Sequence, residues 1–154
     1  MNSLIERFEL AMGGQGSTHA PPTEPSLERI STALRIRLPD LLVTLAGESS
    51  RFGQVFLSLG EDYDSFTHII SYNRYWRRRR RTRRLPEDLV IISNGFMDED
   101  FDCLVRPKDG TVDGGLAVEY WSPAPIGYPR AGRRGPGYAS FEEYLEALIR
   151  PKVA

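Results

Sequence analysis

Two histidines, one cysteine and a scatter of carboxylates are the side chains from which this chain could build catalysis. His19 and His68 stand 49 positions apart and fit no HExxH pattern. Cys103 has no second cysteine and no histidine at zinc-ligand spacing, so neither a metal nor another cofactor is expected. A G-x-S-x-G elbow is absent, and Cys103 sits in the alternating run FDCLVR (101–106), the setting of a small buried hydrophobe rather than a nucleophile. The glycines of AMGGQGST (11–18) imitate a phosphate loop. They lack the closing Gly-Lys-Ser/Thr and follow a helical pattern instead of a strand. Asp62 and Asp64 flank Tyr63 ahead of a helical pattern, where carboxylates cap N-termini and meet the positive dipole end. Asn73, polar within an apolar stripe, is expected to bond nearby backbone. The residues therefore point away from an enzyme.

Charge is the more distinctive signal. RRRRRTRR (77–84) holds Arg77, Arg78, Arg79, Arg80, Arg81, Arg83 and Arg84, broken only by Thr82. The run carries seven positive charges and the chain as a whole −1, so the rest sums to −8. Nucleic-acid binders usually spread basic residues over a face. One basic knot on an acidic body argues against nucleic acid in general and leaves the run as a secondary basic contact candidate. Tyr72, Tyr75 and Trp76 beside it could stack on bases, but at helical spacing they read better as packing and rim residues. The opposite sign clusters in MDEDFD (97–102), where Asp98, Glu99, Asp100 and Asp102 fall within five positions.

The elements that must carry these residues follow from periodicity and punctuation. SLIERFELAM (3–12) places Leu4, Ile5, Phe8 and Met12 on one helical face. A Gly/Pro-rich linker ends it, so residues 1–23 read as a helix plus linker and 24–150 as a single domain. Ser26 is the expected N-cap of the next helix, which Pro39 breaks or restarts, with Gly47 as a stop. GQVFLSLG (53–60) reads as a strand between glycines, and a helix capped by Asp64 or Ser65 follows. Five consecutive arginines would span about 400° of a helix, so the run must leave the core as a C-terminal turn or loop. LPEDLVIIS (85–93), FDCLVR (101–106) and LAVEYWS (116–122) read as strands, and PAPIGYPRAGRRGPGY (123–138) as a long loop. SFEEYLEALI (140–149) closes the chain as a helix with Ser140 and Glu143 in a capping box. Helices at both ends and consecutive strands between them make an α+β domain.

Five segments in this order resemble the SUKH superfamily (Smi–Knr type). They are SLERISTALRIRLPDLL (26–42), VFLSLGEDYDSFTHIISYNRYW (55–76), LPEDLVIISNGFMDEDFDCL (85–104), VEYW (118–121) and ASFEEYLEAL (139–148). The resemblance covers residues 24–149. It implies a curved, mostly antiparallel sheet of about four to six strands flanked by helices. It also implies a non-catalytic immunity protein that binds and neutralises a cognate bacterial toxin domain, such as a nuclease, or else a regulatory interaction scaffold. A nucleic-acid-associated protein using the arginine run is the third reading. On the first, Asp98, Glu99, Asp100 and Asp102 would mimic phosphate for a basic partner, with Phe96, Phe101 and Trp121 as aromatic anchors. The arginine run is no part of the family pattern. A single cysteine, a first stretch MNSLIERFEL that carries acids inside its apolar pattern and lacks a basic n-region, and the lack of a ~20-residue apolar run suggest a cytoplasmic protein with no membrane contact.

Overall fold

The computed structural model describes residues 3–13, 16, 19–94, 99–108, 116–125 and 132–150. Among them are five α-helices and four strands: α1 (Ser3–Met12), α2 (Glu24–Leu34), α3 (Asp40–Glu48), α4 (Ile69–Arg77), β1 (Leu89–Ile91), β2 (Phe101–Val105), β3 (Val118–Ser122), β4 (Arg133–Tyr138) and α5 (Phe141–Ile149). The strands form one antiparallel meander in the order β1-β2-β3-β4, the α+β arrangement expected from the sequence. No helix among the described residues is long and apolar enough to cross a membrane.

The helices bury the stripes that their periodicity dictates. Leu4, Ile5 and Phe8 of α1 are buried, and α1 packs on α5, whose buried face is Phe141, Tyr144, Leu145 and Ile149. On the sheet, Phe101 and Trp121 are register partners across β2 and β3. Their rings stack at 5.8 Å, and Trp76 of α4 closes the group from above, 5.2 Å from Phe101 and 5.8 Å from Trp121. A second aromatic group joins Phe8, Phe52, Phe56, Phe141 and Tyr144 across four segments of chain. Such ring pairs add about 0.5–1.5 kcal/mol each beyond the area they bury.

Several boundaries differ from the sequence expectation. The cap of α2 is Thr23, not Ser26. Thr23 accepts from the Ser26 N–H and Ser26 accepts from the Thr23 N–H, a reciprocal box, and Pro25 within the first turn has no N–H left to satisfy. Residues 53–60 form no regular strand. A 3₁₀ turn at Phe52–Gln54 leads into an extended segment that touches its neighbours at isolated bridges, Phe56 with Ser93 and Ser58 with His68. Helix α4 starts at Ile69 behind the cap His68, not behind Asp64 or Ser65; the Ser65 hydroxyl turns to Thr67 instead, 3.0 Å from its hydroxyl and 3.3 Å from its N–H. Gly47 lies inside α3. The expected loop 123–138 contains β4, an edge strand that tolerates Pro136 because only one of its sides is paired.

Candidate functional site

The polar side chains of the interior are fasteners. His68 is fully buried; its Nε2 lies 2.8 Å from the Gly60 carbonyl and its Nδ1 accepts from the Ile70 N–H at 3.1 Å. A carbonyl only accepts and an amide N–H only donates, so the proton sits on Nε2 and the ring is neutral. Burial holds its pKa below the ordinary 6.5. Asn73, also fully buried, donates from its amide to the carbonyls of Ile69 (2.8 Å) and Ile91 (2.9 Å) and accepts from the Ile91 N–H (2.8 Å). It thereby pairs the outer side of β1, the edge of the described sheet, and bonds nearby backbone as its place in an apolar stripe suggested. Cys103 is fully buried in β2, and burial pushes its thiol well above the usual range, which keeps it protonated.

The acidic turn and its aromatic neighbours are dispersed by the fold. Phe96 and Asp98 lie outside the described residues. Phe101 and Trp121, expected as surface anchors, are 0% and 2% exposed. They are core residues, because the β2–β3 register turns both toward α4, and they cannot meet a partner in this structure. Asp102 is turned inward, where its Oδ2 accepts from the Tyr144 hydroxyl at 2.7 Å. Burial raises its pKa, and the nearby Asp100 adds to that. Glu99 sits in the left-handed region at φ 51° and takes the Arg83 guanidinium at 2.9 Å on both carboxylate oxygens. Asp100 remains at the surface and accepts from the Tyr120 hydroxyl at 2.6 Å.

The arginine run divides in two. It leaves α4 after Arg77 and turns through a 3₁₀ segment at Arg81–Arg83, a turn as expected. Two members fold back. Arg77, with a side chain 22% exposed, donates to the carbonyls of Leu89 (2.7 Å) and Pro86 (3.3 Å) and so ties the end of α4 to the start of β1. Arg83, 15% exposed, donates to the Ala124 carbonyl as well as to Glu99. Arg79 lies 4.0 Å over the Tyr75 ring. Arg78, Arg80, Arg81 and Arg84 are exposed and, among the described residues, form no salt bridge.

Of the three aromatic residues beside the run, Tyr72 and Trp76 are buried and Tyr75 is 38% exposed. Next to Tyr75 stands Phe66, 44% exposed, with the two rings edge to face at 5.4 Å. Tyr75 stands at the rim, as its helical spacing suggested, and only its exposed neighbour Phe66 carries no mark in the sequence. An open groove of about 470 Å³ lies between α2 and α4, with Glu28, Arg29 and Arg74 among its walls. Another surface network was hidden in the expected loop: Arg134 of β4 binds Asp88 at 2.9 Å and Glu119 at 3.1 Å, and holds the Asp88 carboxyl below its ordinary pKa. Among the described residues no three His, Cys, Asp or Glu side chains gather as metal ligands. No protein-family model, curated protein or solved structure matches the chain.

Proposed function

We propose that this chain is a non-catalytic protein-binding module of the SUKH type, which neutralises a cognate bacterial toxin by direct contact. One observation carries the reading. Among the described residues, four side chains that could do chemistry are committed to holding the fold: His68 to Gly60 and Ile70, Asn73 to Ile91, Asp102 to Tyr144, Cys103 to the inside of the sheet. What faces outward is charge and exposed aromatic surface, the material of recognition rather than of turnover. The α+β architecture agrees with the order of the five family-like segments. Binding by such a surface blocks a toxin by occlusion and needs no cofactor.

The test is co-expression with the toxin-type product of the neighbouring gene. Growth is rescued by the wild-type chain, and the two proteins co-elute from a sizing column at about 150 mM salt, where long-range charge effects are screened within about 8 Å. Failure of both rescue and co-elution rejects the reading.

A further inference from the structure

We infer that the outer face of α4 and the turn that follows it, with Arg74, Tyr75, Arg78, Arg80, Arg81 and Arg84, is the contact surface of this chain and takes an acidic patch on a partner protein. Arg74 and Arg78 stand one helical turn apart on the exposed face of α4, opposite the buried Ile69, Tyr72, Asn73 and Trp76. Arg80, Arg81 and Arg84 are exposed along the turn that follows. Among the described residues they form no salt bridge, whereas the inward-turned Arg77 and Arg83 are held by backbone carbonyls and carboxylates. The groove between α2 and α4 continues the surface, with Arg74 as a shared wall.

Two observations favour a protein over a nucleic acid. The Tyr75 ring has Arg79 over its face and Phe66 and Trp76 against it at near right angles, so it offers no open platform for a base. Outside the run the chain carries a net −8, which repels a polyanion that extends past the patch. A folded partner presents its carboxylates over a bounded area and escapes that repulsion. Exposed tyrosine set among arginines is also the composition of protein-interface hot spots.

The inference rests on the reading of the chain as a protein-binding module, and the experiment separates the two. The probes are a labelled glutamate-rich helical peptide and a labelled oligothymidylate of equal charge, followed by fluorescence anisotropy in about 150 mM salt. The wild-type chain binds the peptide more tightly than the oligothymidylate. The variant Arg78→Glu/Arg80→Glu/Arg81→Glu/Arg84→Glu binds the peptide at least about 10-fold more weakly, and Tyr75→Ala, at unchanged charge, about 5-fold more weakly. All four arginines are exposed, so circular dichroism confirms an unchanged fold. Peptide binding that survives the four reversals overturns the inference. Tighter binding of the oligothymidylate overturns it too, in favour of a nucleic-acid surface. In the co-expression assay, rescue by wild type that persists in the fourfold variant discards this surface and keeps the proposed function.

Discussion

Asn73 shows how a single side chain can substitute for a strand. Its amide both donates to and accepts from Ile91, the pairing that a neighbouring strand would supply. Asn73→Leu keeps much of the shape and orphans the Ile91 N–H and carbonyl. Each orphaned buried group costs about 1–3 kcal/mol, so urea unfolding should register a loss above about 2 kcal/mol. A loss below about 0.5 kcal/mol, the range of ordinary surface changes, would mean that the amide is dispensable. Asp102 acts with the opposite sign. Its folded pKa is raised above the ordinary 3.8, chiefly by burial, so between those two values the native chain holds more protons than the unfolded chain. Stability therefore falls as pH rises through the folded value and stays lower above it. Asp102→Asn removes that burden and still offers Tyr144 an acceptor. Urea titrations should find the variant more stable than wild type at pH 7, with the advantage vanishing below 3.8. An advantage that does not change with pH would place its origin elsewhere. The role of Asn73 was legible, since a polar residue on an apolar stripe must find backbone. The inward turn of Asp102 was not, because MDEDFD looks uniformly acidic until the β2 register assigns its members to opposite sides.

Elements were readable where one face is dry and the other wet. Helix α1 and helix α5 carry complete 3.6-residue stripes, and both stand where the pattern puts them, with Ser140 capping the latter through the Glu143 N–H. Segment 53–60 failed because Phe56, Leu57 and Leu59 are all buried, which erases alternation and leaves the bridge pattern to tertiary contacts. Strand β4 failed for the converse reason: RRGPGY is mostly exposed and has the composition of a loop. The arginine run was half legible. Helical geometry required it to leave the core, but nothing local told which members would return. Arg77→Ala and Arg83→Ala each remove two backbone or carboxylate partners, and each should cost about 1–3 kcal/mol. Arg78→Ala, Arg80→Ala, Arg81→Ala and Arg84→Ala should each stay within about 0.5 kcal/mol of wild type. Thermal melts of the six variants check the division, and a uniform response across the run would contradict it.

At the scale of the whole molecule, helix α1 is built into the core of the residues that follow it. Leu4, Ile5 and Phe8 belong to the same core as the sheet, and Phe8 stacks on Phe56 at 6.0 Å. The connecting chain is fastened as well. His19 lies 2.9 Å from the Ala46 carbonyl, and a Cβ on Gly60 would fall 2.4 Å from that of Ala20, so the chain at these two residues runs hard against the body of the protein. Glu9 adds a polar anchor, accepting from the Arg51 guanidinium at 2.6 Å and from the Ser49 hydroxyl. Full burial of the three apolar side chains contributes about 1.5–3 kcal/mol apiece, which together rivals the 5–15 kcal/mol that typically separates folded from unfolded. A chain that begins at residue 24, although it retains every family-like segment, should therefore lack a cooperative thermal transition. It should bind a hydrophobic dye through the uncovered Phe56, Phe141 and Tyr144, and adding a peptide of residues 1–23 should restore part of the transition. A sharp melt from the shortened chain alone would show that α1 only decorates a core complete without it, and the tertiary contacts of Phe8 and Glu9 would then have no bearing on folding.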